Sequence, residues 1–216
     1  MARVLVVNPN SSVAVTERIE ACVAPLQRVG DIRIDVVRLP EGPPGIQCQR
    51  DVEQVVQPLL ARIEAEKADA NVIACFSDPG LYAAREIAHG PVFGIAESAI
   101  LTALSRGSRF GILAILPNSI PRHLRYAGAM GVLDRMAGDR ALGLTVADLA
   151  DADRTFDRLC SVGATLRDTD GADVLILGCA GMAHLRERLA EHLQIPVVEP
   201  TQAAVANACA AVTLGW

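Results

Sequence analysis

Two cysteines stand in matching surroundings in the two halves of the chain, Cys75 in ADANVIACFSDPGLYAARE and Cys179 in GADVLILGCAGMAHLRERL. Each ends a run of aliphatic residues and precedes residues that start helices. Free backbone N–H groups and the helix dipole at such a place favour a thiolate, lowering a thiol pKa that begins near about 8.5. A thiol and a thiolate on opposite faces of a carbon can take a proton from one side and return one to the other, exchanging roles in the reverse direction. Inversion of a stereocentre next to a carbonyl needs this pair of groups and asks for no cofactor and no metal.

The carbanion formed on the way needs hydrogen-bond donors. Candidates are the loops at Asn10, Ser11 and Ser12, at Ser77 and Asp78, at Asn118 and Ser119, and at Ala180, Gly181 and Met182, where Gly181 permits close approach. Thr201 is also assigned to the cleft. Cys22, Cys48, Cys160 and Cys209 have no counterpart in the other half and read as bystanders. Glu97 reads as a helix-start residue, His184 as a partly exposed helix residue and Tyr82 as core packing. Arg122 and His123 have two open readings, contact with an anionic substrate or cover of a helix face.

The elements that must carry these residues follow from the hydrophobic pattern. Strands are predicted over residues 3–7, 32–39, 71–76 and 91–96, and helices over 13–29, 51–66 with a kink or break at Pro58, about 79–88, and 97–105. Either Ser77 or Asp78 is expected to cap the third of these helices. From Arg109 the pattern restarts: RFGILAILPNSI parallels ARVLVVNPNSSV, and IPVVEPTQAAV parallels GPVFGIAESAI. Asn10 to Cys75 and Asn118 to Cys179 span nearly the same length of chain. The chain therefore divides into two repeat-related α/β lobes, residues 1–106 and 107–216, with residues 141–148 as the counterpart of the 32–39 strand. Each lobe is expected to hold an open parallel sheet, with the active site in the cleft between them.

Composition agrees with a folded chain that acts on a small molecule. The 216 residues are 51% hydrophobic and 21% charged, enough for a sizeable core. A net charge of −5 and only 3% aromatic residues argue against nucleic acid as a partner. No signal peptide, membrane span, disulfide framework or zinc motif is visible, so a cytoplasmic location with free thiols is expected.

NPNSS at residues 8–12, ACFSDPGLYAARE at 74–86, GPVFGIAESA at 90–99 and LGCAGMAHL at 177–185 resemble the aspartate/glutamate racemase superfamily, and within it the hydantoin and allantoin racemase branch. The resemblance spans nearly the whole chain. It implies two flavodoxin-like lobes, racemisation without cofactor or metal by Cys75 and Cys179, a C-terminal helix packed back on the first lobe, and a homo-oligomer. The substrate stays open among 5-substituted hydantoins, allantoin and free amino acids such as aspartate or glutamate. A maleate isomerase-like enzyme and a two-lobed small-molecule binding protein are the other readings. A decarboxylase that relies on one cysteine fits the pair less well.

Overall fold

The runs of β-branched and aliphatic residues form short strands that alternate with helices throughout the chain. The computed structural model describes residues 1–28 and 31–216. The first half contains β1 (Ala2–Asn8), α1 (Val13–Val23), β2 (Ile32–Arg38), α2 (Gln49–Gln54), α3 (Val56–Glu66), β3 (Ala70–Ile73), α4 (Leu81–Ile87), β4 (Val92–Gly94) and α5 (Ile95–Leu104). The second half contains β5 (Phe110–Ala114), α6 (Ile120–Ala129), β6 (Met136–Ala141), α7 (Ala152–Asp168), β7 (Val174–Leu177), α8 (Arg186–Leu193), β8 (Val197–Val198) and α9 (Pro200–Leu214). All strand pairs are parallel, in the orders β2-β1-β3-β4 and β6-β5-β7-β8. The repeat read in the sequence is thus a repeat of topology. No helix of the described residues is long and apolar enough to cross a membrane.

The two sheets are joined by an exchange of helices. Helix α5, from the first half, packs on β5, β7 and β8 of the second sheet, while α9, from the second half, packs on β1, β3 and β4 of the first. The two helices also pack on each other. Their facing surfaces are built from alanines one turn apart, Ala99 and Ala103 on α5 and Ala204 and Ala208 on α9, all fully buried. Side chains this small let two helices and two sheets close around a common core that runs from Val4 and Val6 through Ile95 to Phe110, Ile112 and Val198. The sequence reading expected the return of the C-terminal helix alone; α5 makes the reciprocal crossing.

Several boundaries differ from the sequence reading for identifiable reasons. Helix α1 stops at Val23, before Pro25, and a single 3-10 turn (Leu26–Arg28) follows. Val29, the last residue of the expected helix, lies outside the described residues. The break between α2 and α3 falls at Val55, not Pro58. Pro58 sits in the first turn of α3, where a missing N–H leaves no intrahelical bond unmade. The counterpart of β2 is β6, over Met136–Ala141, and not residues 141–148. This edge strand is only half buried and carries Asp139 and Arg140, so it lacks the aliphatic run of a central strand. The more apolar residues after it include Leu142 and Leu144, whose N–H groups bond to the Ala114 and Ile115 carbonyls in the second core.

Asp78 does not cap α4, whose N-cap is Gly80 at φ 66°. It caps α5, accepting hydrogen bonds from the N–H groups of Ala96 (2.9 Å) and Glu97 (2.8 Å), and it also accepts one from the Tyr126 hydroxyl (2.6 Å). Gly94 makes room for this contact, since a Cβ there would lie 2.2 Å from the Asp78 carboxylate. The loop after β3 is in this way pinned to both α5 and α6, with Asp78 itself at φ 42°.

Two outcomes are expected. Ala208→Leu should cost about 1–3 kcal/mol in urea unfolding, because the α5–α9 contact has no space for three more carbons. Asp78, fully buried, has its pKa pushed up to about 6, first by burial and against its hydrogen bonds to Tyr126, Ala96 and Glu97. The folded chain therefore holds this proton more tightly than the unfolded chain, and its contribution to stability is lost as pH rises from about 4 to about 6. Unfolding free energies measured across that window should fall more steeply for the wild type than for Asp78→Asn.

Candidate active site

In each sheet the chain turns outward in opposite directions from two neighbouring central strands, β1 and β3 in one and β5 and β7 in the other. A crevice opens beyond the carboxyl ends of such a pair, the place where open α/β sheets bind ligands. Asn10 follows β1, Cys75 stands two residues beyond β3, Ser119 follows β5, and Cys179 stands two residues beyond β7. All four line one cavity of about 40 Å³, together with Ser77, Arg122, His123 and Ala180. Cys75 lies between buried Ala74 and Phe76, and Cys179 between buried Gly178 and Ala180. Each cysteine keeps part of its surface where its neighbours lose theirs. Gly178 allows the approach of Cys179, because a Cβ there would lie 2.6 Å from the Leu113 carbonyl oxygen.

Burial pushes both thiols above their ordinary pKa. For Cys75 the charges of Cys179 and Asp78 push the same way, while the Arg122 guanidinium and the Ser77 N–H pull it down. For Cys179 the Gly181 N–H and Arg18 pull down and Glu199 pushes up. This corrects the expectation of thiols lowered by adjacent helix starts. The helix starts near the thiols are already occupied by protein carboxylates, Asp78 on α5 and Glu199 on α9, where Glu199 accepts from the Gln202 N–H at 2.6 Å. The dipoles are spent on these carboxylates, whose charge then opposes a thiolate.

Arg122 is the cation of the cavity. Its Nη1 donates to the Asn118 carbonyl (3.0 Å) and its Nη2 to Ser119 Oγ (3.2 Å), while its Nε is buried with no partner. His123, 5% exposed, places Nδ1 2.7 Å from Asp139 Oδ2 and sets its ring edge-on to Phe76 at 5.1 Å between centroids. Asn10 spends Oδ1 on Asn8 Nδ2 (3.1 Å) and the Ser12 N–H (2.9 Å), which leaves its Nδ2 to donate to a ligand.

The structure brings together Cys75, Cys179, Asn10, Ser77, Ser119 and Ala180 from the sequence-predicted set. The others lie off the cavity wall. Asn118 is exposed, so Ser119 takes the place that the repeat gave to the asparagine. Ser12 caps α1, and the Ser11 N–H bonds to the Pro43 carbonyl. Met182 is buried in the core of the second lobe, with its N–H donated to the Cys179 carbonyl. Ser77 and Asp78 both give their N–H groups to the Cys75 carbonyl, so the expected cradle of amides shrinks to the start of the 3-10 turn at Ala180 and Gly181. Thr201 is fully buried in the first turn of α9. Glu97 pairs with Arg85, and His184 is exposed as expected.

Sequence reasoning did not place Phe76, Ile46 or Val146 in the wall, and it left Arg122 and His123 open. Ile46 and Val146 come from the loops after β2 and β6, which meet where Gly45 lies against Val146. The Pro and Gly residues around 40–45 were the available signal for that loop. Tyr82 is 63% exposed and not core; it stands at a second cavity of about 220 Å³, lined also by Val52, Ile100, Ile112 and Tyr126. Phe76, Ser77, Arg122 and His123 line both cavities and so form the partition between them. Among the described residues no group of three His, Cys, Asp or Glu side chains is placed to hold a metal ion.

Comparison with known proteins places this geometry. Residues 4–208 match the family described as Asp/Glu/Hydantoin racemase. The chain is 36% identical to a hydantoin racemase from Paenarthrobacter aurescens, over 99% of this chain and 92% of that protein. It is 34% identical to a hydantoin racemase from Rhizobium meliloti, over 97% and 88%. An allantoin racemase structure from Klebsiella pneumoniae superposes with a TM-score of 0.91 at 34% identity, covering all of this chain and 89% of that one. Two repeated parallel sheets, a crevice at both switch points and this extent of likeness lead to one conclusion: the chain belongs to the Asp/Glu/Hydantoin racemase family and is an isomerase of the racemase kind.

Proposed function

We propose that this racemase inverts the carbon between the ring nitrogen and the carbonyl of a hydantoin, with Cys75 and Cys179 as the two acid/base groups. The observation that carries the reading is the equivalence of the two thiols, each two residues beyond a central strand and each on the wall of one small cavity. One thiolate removes the proton from one face while the other thiol delivers a proton to the opposite face, and the roles reverse for the other enantiomer. Negative charge moves from sulfur to the carbonyl oxygen in between. Arg122 and the Ala180 amide, both on the cavity wall, are the donors assigned to receive it. A hydantoin suits cysteine bases better than a free amino acid does, because its ring carbonyl acidifies the carbon where a carboxylate does not. The hydantoin and allantoin racemases among the relatives support the same ring.

The second cavity supports a finer reading. The space at the thiols, about 40 Å³, is far smaller than the adjoining one of about 220 Å³, so in this reading a ring reacting at the thiols extends its substituent across the partition. The adjoining space is lined by Val52, Phe76, Tyr82, Ile100 and Tyr126, with Gln49 and Arg125 also on its wall. An apolar substituent at the stereocentre gains from burial against the aliphatic and aromatic side chains there.

The test is exchange in deuterated water. 5-Benzylhydantoin and 5-isobutylhydantoin should each lose optical rotation and take up deuterium at the stereocentre, faster than allantoin does. Cys75→Ser and Cys179→Ser should each slow exchange by about a hundredfold or more. Full racemisation by both variants overturns the two-thiol mechanism, and activity confined to aspartate or glutamate overturns the ring substrate. Since both free thiols are held high, iodoacetamide should alkylate Cys75 and Cys179 slowly at pH 7 and at a rate that climbs toward pH 9. Fast alkylation at neutral pH would show a thiolate already present.

A further inference from the structure

The His123 and Asp139 pair takes no part in the chemistry above, yet it occupies the partition through which the substrate must pass. His123 comes from α6 and Asp139 from the edge strand β6, and both side chains are almost wholly buried, at 5% and 2% exposure. Asp139 presents Oδ2 to His123 Nδ1 at 2.7 Å and lines neither cavity. His123 lines both, so the ring edge that meets the cavities is the one turned away from Asp139. A carboxylate can only accept, so Nδ1 donates to it, and the tautomer this selects leaves the lone pair on Nε2. Phe76, edge-on to the imidazole, holds it from the first lobe. Among the polar groups of the cavity, Arg122 and the Asn10 amide nitrogen are donors. The Ser77 and Ser119 hydroxyls can donate or accept, whereas His123 Nε2, with the ring proton on Nδ1, can only accept.

We propose that His123 is a substrate-contacting residue whose Nε2 accepts a hydrogen bond from the ring N–H next to the stereocentre, and that Asp139 is its positioning residue. The assignment rests on the hydantoin reading of the site. A ring at the thiols with its substituent in the second cavity has, at the partition, the atoms bonded to the stereocentre, which are the carbonyl carbon and the N–H. The carbonyl oxygen belongs with the donors; the N–H remains for the acceptor. His123 thereby fixes which ring neighbour lies on which side, and so which hydrogen faces a thiol.

The test uses a ring of the same size that lacks only this donor, 5-benzyl-oxazolidine-2,4-dione, in which oxygen replaces the N–H. Deuterium uptake at the stereocentre is measured as kcat/KM for this ring and for 5-benzylhydantoin, each divided by its uncatalysed exchange rate. The wild type should prefer the hydantoin by at least about tenfold, the worth of one hydrogen bond whose loss leaves an acceptor facing an acceptor. The double variant His123→Phe with Asp139→Leu removes both partners of the buried pair at once, and in it the preference should collapse toward unity, mainly through a higher KM for the hydantoin. A variant that merely loosens the fold slows both rings alike and keeps the ratio, which overturns the proposal. Should the double variant not fold, His123→Phe with Asp139→Asn serves in its place. The phenyl ring still removes the acceptor and the amide puts an uncharged side chain at the buried position, so the ratio should fall there too, and an unchanged ratio overturns the proposal. Equal rates on both rings by the wild type overturn this assignment alone. No exchange of the hydantoin by the wild type overturns the racemase mechanism and this assignment with it.

Discussion

The crossing of α5 and α9 is the constraint on which the site depends. Each helix leaves its own sheet and packs on the other, so neither half can close its core without its partner. The alanine surfaces of the pair set how near the two sheets come, and with it the gap between the ends of β3 and β7. The proposed two-thiol mechanism is sensitive to that gap, since in it both sulfurs must reach one carbon from opposite sides. Tight packing of small residues supplies rigidity at this crossing.

The same crossing fixes the electrostatics. Helices α5 and α9 begin close to the cleft, and their first N–H groups would favour anions there if they were free. They are taken by Asp78 and Glu199, both buried. Each carboxylate acts on the thiol beside it, Asp78 on Cys75 and Glu199 on Cys179, and each works against ionisation. Burial and these carboxylates thus hold both thiols toward the neutral form, with the Arg122 guanidinium working the other way on Cys75. Under the proposed mechanism, a thiolate formed once substrate has displaced water lacks competing solvation, which makes it a stronger base than one stabilised in advance.

How much of this the sequence disclosed follows from what a repeat can reveal. Cys75 and Cys179 were legible because the two halves reproduce the same aliphatic run and the same following loop, and parallel-sheet topology then turns equal positions into facing positions. Ser119, Ala180 and Asn10 came with them. The amides were misjudged because a loop sequence does not say where its N–H groups go, and those of Ser77, Asp78 and Met182 close turns back onto the cysteine carbonyls. Asp78 read as the cap of the next helix and instead caps α5, a contact that spans strand β4 and that Gly94 alone permits by having no Cβ. Strand β6 was missed for a different reason: an edge strand with Asp139 and Arg140 in it has no hydrophobic signature.

That unsignalled strand matters because it breaks the symmetry of the site. The two cysteines stand at equivalent places in the two sheets, as the proposed two-thiol mechanism asks. The rest of the wall is not equivalent, for Arg122 and His123 both come from α6 and Asp139 behind them comes from β6, whereas the first half contributes the uncharged Asn10 and Ser77. Two enantiomers differ only in which face of the carbon carries hydrogen. If the surroundings of the ring were as symmetrical as the thiols, the ring could enter in either sense and its substituent would have two places to go. In the proposed reading, one partition beside one adjoining cavity gives the substituent a single place, and the proton is then the part of the substrate that changes sides.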